Sequence, residues 1–323
     1  MISVVAPVHN EAENLAGLHR RIRAAAAELD TCEIVLVDDG STDGSWPTML
    51  ALAAADPHVR LLRLSRNFGH QAALTAGLDA ARGDAVVLMD ADLQDPPEVI
   101  PALVAKWREG YDVVYGLRTE REGETRYKRW TAAAFYRLLR GMTRVDIPAD
   151  AGDFRLLSRR AVDALARMPE RARFLRGMTS WVGFRQAGVP YRRDARYAGE
   201  TKYPTRRMVR FAVDAITSFS TTPIRVVTGI GLVVVAFCVG VLAWAIYVKF
   251  FTDTAVAGWT SVLIVVLLLG GMQLVGLGVI GQYVARIFEE AKQRPLYIVE
   301  ESVDGGVAPD VVAPPTTTAA PLP

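Results

Sequence analysis

The chain is predicted to fold as an α/β domain on a mostly parallel sheet, followed by two long apolar helices. Three observations predict this. Apolar runs at Ser3–Val8, Glu33–Val37, Val59–Leu64, Ala85–Met89 and Asp112–Tyr115 alternate with helix-compatible stretches such as Glu13–Leu29 and Gln71–Ala81, the order of a parallel sheet with helices on both faces. Each run ends in a polar cluster, where open sheets of this kind bind ligands. Two later stretches, Val226–Val248 and Val256–Ala285, carry no charged side chain, and each is long enough to cross a bilayer core of roughly 30 Å.

The clusters, in chain order, are His9-Asn10-Glu11, Asp38-Asp39-Gly40-Ser41, Arg66-Asn67-Phe68-Gly69-His70, Asp90-Ala91-Asp92 and Gly116-Leu117-Arg118. Five such clusters at five strand ends describe one crevice. In the fourth, an extended segment would point Asp90, Asp92 and Gln94 the same way, an oxygen set that hard cations such as Mg²⁺ or Mn²⁺ favour. The alternative is an acidic turn in which Asp95 caps the helix that Pro96 and Pro97 begin. Neither G-x-G-x-x-G nor a P-loop is present, so phosphates would be neutralised by metal and basic side chains. Asp38 and Asp39 suit ribose or base contacts, although Ser41 and Asp43 read as helix caps. Asn10 and Glu11 also suit a helix cap, and His70 a first-turn surface position.

The chain has 323 residues and a formal net charge of +2, and no nucleic-acid partner is expected. Met1 leads directly into the first strand without a basic segment before an apolar one, so no signal peptide is expected. Arg206, Arg207, Arg210 and Arg225 precede the first span and Arg286, Lys292 and Arg294 follow the second, against Lys249 and Asp253 between them. The positive-inside tendency then places both termini and the N-terminal domain on the cytoplasmic side of the inner membrane. Residues 206–225 read as an amphipathic helix at the membrane surface, with Met208, Phe211, Ala212, Ala215 and Phe219 at helical spacing, or as an ordinary domain helix. The expected organisation is a domain over 1–205, an interfacial helix over 206–225, a two-helix hairpin over 226–285, and a tail over 286–323 that becomes too rich in Pro, Thr and Ala to pack. Cys32 and Cys238 are expected to be unpaired core residues.

The strings HNE, DDGST, RNFGHQAA, DADLQDPP, GLRTEREGET, DAGDFRLLSR, RFLRGM and GETKYP, in order and followed by two spans, resemble the family-2 glycosyltransferases that load sugars onto polyprenyl phosphates. Undecaprenyl-phosphate glucosyltransferases, aminoarabinose transferases and dolichol-phosphate mannose synthases belong to that group. The resemblance implies a Rossmann-like GT-A fold with a D-x-D metal motif. Asp92 and Gln94 would be the ligands, with Asp90 near the donor's sugar or sharing the metal. Pro7, Glu11 and Asp39 would hold the uridine, with Asp38 behind them and Asn67 and Gly69 completing the donor set. His9 stands where many members have Tyr. Asp153, with Asp92, would serve the chemistry.

Departure of a nucleoside diphosphate builds negative charge that a cation and a basic side chain stabilise, and Lys202 is the candidate for the latter. Arg118, Arg121, Arg126, Lys128 and Arg129 cluster before the helix expected over Thr131–Leu139. Guanidinium groups suit phosphate oxygens, which favours Arg118 and Arg129, then Arg121 and Lys128, as acceptor-phosphate contacts; attraction to anionic lipid is the competing reading. Because the second pKa of a phosphate monoester is near 6, Asp153 is expected to orient the sugar or acceptor more than to take a proton. The expectation is an inverting transfer of one hexose from a nucleotide-sugar donor, UDP-glucose first, to polyprenyl phosphate, by a protein the resemblance makes a homotetramer. GDP-mannose, UDP-N-acetylhexosamines and UDP-aminoarabinose are the other donors. A processive polysaccharide synthase would want Gln-x-x-Arg-Trp, and the nearest string, Arg126–Trp130, has Arg in place of Gln. A non-catalytic scaffold need not retain Asp90, Asp92, Gln94 and Asp153 together.

Overall fold

The computed structural model describes residues 1–29, 31–119, 151–168, 170–171, 173–193, 222–251 and 259–305. They fall into two compact units: one holds the described residues up to 193 together with 294–305, and the other holds two long helices.

The first unit is built on a sheet of eight described strands in the order β7-β5-β6-β4-β1-β2-β3-β8. The strands are β1 (Ile2–Val8), β2 (Cys32–Asp38), β3 (Val59–Leu64), β4 (Ala85–Leu88), β5 (Val113–Arg118), β6 (Ala151–Ser158), β7 (Gln186–Tyr191) and β8 (Val299–Asp304). Every residue of β1 and β2 is buried, as expected of central parallel strands covered on both faces. β1 pairs in parallel with β2 and β4, β2 with β3, and β5 with β7. β6 is antiparallel to both β4 and β5. The carboxyl ends of β1 to β5 and β7 therefore share one edge of the sheet, and the amino end of β6 joins them there.

Helices follow the strands. In α1 (Ala12–Ala26), Leu15, Leu18, Ile22, Ala25 and Ala26 are buried, an apolar stripe at helical spacing. α2 (Ser45–Ala55) buries Trp46, Met49 and Ala53. In α3 (His70–Ala80), a β-carbon on Gly77 would lie 2.2 Å from Val5 Cγ1, so glycine lets this helix lie directly on β1. α4 (Ile100–Arg108) buries Ile100, Leu103 and Val104. α5 (Arg159–Ala166) follows β6 and is capped by Ser158, whose Oγ accepts from the Ala161 amide. α6 (Leu175–Trp181) precedes β7.

The tail expected over 286–323 differs from what is found. Val299–Asp304 forms the edge strand β8, antiparallel to β3. Val303 is buried in the core, Asp304 pairs with Arg60, and the Tyr297 hydroxyl donates to Asp79 Oδ2 at 2.8 Å. Pro, Thr and Ala become dense in the sequence only beyond this segment; here the edge of β3 supplies a pairing partner that the tail's own sequence does not reveal.

In the second unit, α7 (Thr222–Phe251) has 30 residues and α8 (Trp259–Ala291) has 33. Residues 222–225, assigned above to an interfacial helix, begin α7, and 206–221 lie outside the described residues. Among the described residues taken by themselves, no helix is long and apolar enough to cross a membrane.

Candidate active site

Three loops at the carboxyl ends of β1, β2 and β3 are stitched together by their own polar groups. Asn10 takes a left-handed φ of 58° and its Oδ1 accepts from the Thr42 amide at 2.8 Å. The Glu11 amide donates to Ser45 Oγ at 3.0 Å, and His9 Nδ1 lies 3.0 Å from the Asp39 carbonyl and 3.2 Å from Asn67 Nδ2. Asp39 accepts the Phe68 and Gly69 amides at 2.7 and 2.9 Å, one on each oxygen. Its carboxylate thus shapes the loop that starts α3, while further lone pairs remain for a ligand. Asp38 is fully buried behind it and accepts the Ser41 amide at 3.1 Å. Gly40 has φ +67°, and a β-carbon there would lie 2.5 Å from the Asn67 amide nitrogen. Pro7 is buried in β1 beside Val37. The expected donor residues Pro7, Glu11, Asp38, Asp39, Asn67 and Gly69 are therefore gathered on adjoining loops and strand ends.

The acid centre follows β4. That strand ends at Leu88, and the chain then turns, with a left-handed φ of 59° at Leu93 and the Gln94 amide donating to Asp92 Oδ1 at 3.1 Å. The expectation that Asp90, Asp92 and Gln94 share one face of an extended segment is corrected, because a turn that bonds backbone to its own aspartate replaces the period-two geometry. Asp90 Oδ1 is buried with no hydrogen-bond partner. His70 Nε2 stands 3.5 Å from that oxygen and 3.5 Å from Asp153 Oδ2, so this histidine joins the turn after β4 to β6. Burial pushes the Asp90 carboxyl up to about 6; His70 opposes this, and the charges of Asp153, Asp95 and Asp92 add to it.

Asp153 reaches the same edge because β6 runs opposite to its neighbours and Ala151 pairs with Leu117 at the end of β5. Burial works against its charge, but Arg176, in a two-bond pair at 2.7 and 2.9 Å, together with His70 and Arg155, holds the carboxyl well below the usual carboxylate range. Arg155 is buried behind, donating to the Gly152 carbonyl at 2.7 Å and to Thr179 Oγ1, and burial lowers it to about 10. Sequence reasoning gave Arg176 no role, and set His70 in the third cluster of the crevice or at a first-turn surface position, where it is found as the first residue of α3. The string RFLRGM marked Arg176 without a partner, since the pairing spans 23 residues.

A third cluster closes the β5–β7 side. Asp95 does not cap a helix, for the turn Pro97–Val99 starts from Pro96 without a side-chain cap. Instead, Asp95 is fully buried and accepts the Tyr191 hydroxyl at 2.5 Å. Arg118 Nε donates to the Tyr191 hydroxyl oxygen at 3.3 Å, and a β-carbon on Gly152 would lie 2.6 Å from Arg118 Nη2. Burial, with the Asp95 charge adding, raises the Tyr191 phenol and keeps it a donor. Arg121, Lys128, Arg129 and Lys202 lie outside the described residues.

Residues 3–166 match the glycosyl transferase family 2 description. This chain belongs to glycosyl transferase family 2. The glycosyltransferase is 47% identical over 301 residues to the uncharacterized glycosyltransferase YkcC of Bacillus subtilis, covering 93% of each chain. It is 45% identical over 303 residues to the prophage bactoprenol glucosyl transferase homolog of Escherichia coli, covering 93% of this chain and 98% of that one. It is 44% identical over 306 residues to the SfII prophage-derived bactoprenol glucosyl transferase of Shigella flexneri, covering 94% and 99%. Its fold is the Rossmann-like GT-A arrangement with a mostly parallel sheet, as the resemblance implied.

Among the described residues, no three or more His, Cys, Asp or Glu side chains are grouped so as to hold a metal by themselves. The donor set nevertheless fits a hard cation completed by substrate. Asp90 keeps a buried oxygen without a hydrogen bond, and Asp92 stands in the following turn. Mg²⁺ is commonly bound by one or two carboxylates plus substrate phosphates and water.

Proposed function

We propose that this glycosyltransferase moves a single hexose, glucose from UDP-glucose, onto polyprenyl phosphate with inversion at the cytoplasmic face of the membrane. The likeness along nearly the whole chain to proteins named bactoprenol glucosyl transferases carries the substrate class, and the placing of Asp90 and Asp153 on either side of His70 supports the reaction. The β1, β2 and β3 loops take the nucleoside, with Pro7, Glu11, Asp39, Asn67 and Gly69 around it and Asp38 supporting them. Asp90, Asp92 and Gln94 would hold Mg²⁺ or Mn²⁺, which would neutralise charge developing on the departing diphosphate. Lys202 assists on that side.

A phosphate oxygen of the acceptor attacks the anomeric carbon from the face opposite the leaving UDP; the new C–O bond forms as the bond to the diphosphate breaks. The acceptor phosphate is already largely ionised at neutral pH. Asp153, held as a carboxylate by Arg176, is a weak base and orients sugar and acceptor. Arg118, with Arg121, Lys128 and Arg129, receives the acceptor phosphate.

In this reading the two long helices cross the membrane, on the strength of the charge-free runs Val226–Val248 and Val256–Ala285 of the full sequence, which the described residues taken alone do not supply. At 1.5 Å per residue each runs roughly 45–50 Å, more than a hydrocarbon core needs. Supporting this, Leu232, Val233, Phe237, Trp244, Leu274 and Leu277 are exposed within that unit. The reading is tested by transfer of radiolabelled sugar from a panel of UDP- and GDP-sugars to undecaprenyl phosphate, with wild type and Asp92→Ala in parallel. Label from UDP-glucose in the lipid, lost in Asp92→Ala, is the expected result; no glycolipid from any donor rejects the reading.

A further inference from the structure

The cluster on Asp95 has charge and bonding capacity left over. Tyr191, Arg193 and Arg118 all address its Oδ1, at 2.5, 3.3 and 3.9 Å. Oδ2 is buried without a hydrogen-bond partner, and Nε of Arg193, although close to the carboxylate, also makes no hydrogen bond. Two guanidinium groups thus share one buried carboxylate, which leaves a positive excess. Both arginines are about one quarter exposed, at 24% and 28%, so each stays partly open to solvent. Their placement follows from topology. Arg118 ends β5 and pairs in register with Tyr191 at the end of β7, and Arg193 lies two residues further on. Arg118 also lies against Gly152, the neighbour of Asp153.

We propose that Arg193 is the second arm, beside Arg118, of a cradle for the acceptor's phosphate, and that Asp95, tied to Tyr191, is a positioning residue that spaces the two arms. The proposal rests on the reading of the chain as a polyprenyl-phosphate transferase. It commits to the acceptor's phosphate over the donor's diphosphate because of the strand order. The arms stand on the β7–β5 side, the nucleoside loops follow β1, β2 and β3, and the acid centre on β4 and β6 lies between them. Paired planar guanidinium groups match phosphate oxygens.

The test titrates the full-length protein in detergent with farnesyl phosphate, without donor, and separately with UDP. Arg193→Gln is expected to weaken farnesyl phosphate binding about tenfold while UDP affinity holds. Asp95→Asn is expected to weaken it too, although removal of a negative charge would by itself tighten anion binding. Arg193→Lys should recover only part of the loss. Equal farnesyl phosphate affinity in wild type and Arg193→Gln, no binding by wild type, or a loss confined to UDP overturns the cradle, and tighter binding by Asp95→Asn overturns its positioning role. Should Asp95→Asn fail to fold, Tyr191→Phe, which loses only a hydroxyl, carries the same comparison. Transfer to undecaprenyl phosphate is followed alongside. Its absence in a wild type that binds farnesyl phosphate rejects the functional reading and not the cradle; normal transfer with an unchanged acceptor KM in Arg193→Gln rejects the cradle alone.

Discussion

Asp153 is a buried carboxylate kept charged by side chains from two helices, Arg176 on α6 and His70 on α3. Removing one partner of such a pair leaves an uncompensated charge, which costs more than the pair contributes. Arg176→Gln should therefore let the Asp153 pKa rise, since burial and the neighbouring Asp90 both oppose ionisation. If the charged form orients the reactants, the variant's rate falls relative to wild type more at about pH 6 than at about pH 8. A rate ratio that does not change with pH would mean that Asp153 stays ionised without Arg176 or that its charge is not used. At Gly40 the constraint is conformational. Gly40→Ala meets both a left-handed φ and the Asn67 backbone, costs about 1–3 kcal/mol, and should weaken UDP binding, measured by titration calorimetry.

β8 shows how an element can depend on its partner. Its sequence, VEESVD, has little apolar content, and its place is decided by pairing with β3 and by the burial of Val303. An uncovered β3 would present an open edge, a template for association with another chain. Val303→Asp puts a charge into the core face and should cost about 3 kcal/mol, seen as a lower unfolding temperature and earlier aggregation on heating. A melting curve matching wild type would mean that β8 adds nothing to the sheet. α3 depends on its neighbour in the same way, since Gly77 allows it to lie on Val5.

At the scale of the molecule, acid stability should come from pairs far from the chemistry. Against the upward push of burial, Arg23 and His19 hold Asp56 well below its ordinary range, with the His58 amide adding a bond. A group with a depressed folded pKa contributes stability above its unfolded value of about 3.9, and that contribution is lost as pH falls below it. The unfolding temperature of the full chain in detergent should drop between about pH 4 and pH 2, and Asp56→Asn should flatten that limb while costing about 2 kcal/mol at neutral pH. An identical acid limb in the variant would place the dependence elsewhere. The two units also differ in their apolar surface: the sheet buries its apolar residues inside the first unit, whereas the second unit exposes large apolar side chains along two helices of 30 and 33 residues.

The alternation of apolar runs by itself determined the first five strands and their parallel sense, because local periodicity and the placing of polar clusters require no knowledge of distant partners. The DAD turn, the paired aspartates after β2 and the family were legible for the same reason: each is a contiguous string. Only the tertiary structure decided that β6 enters antiparallel between β4 and β5, which sets Asp153 across His70 from Asp90. It also decided that Arg176 is that carboxylate's partner, that Asp95 serves Tyr191 and two arginines in place of a helix cap, and that the segment after α8 returns as β8. These are contacts between residues 23 to more than 200 positions apart. No periodicity encodes them, because strand order is selected by the packing of the whole sheet.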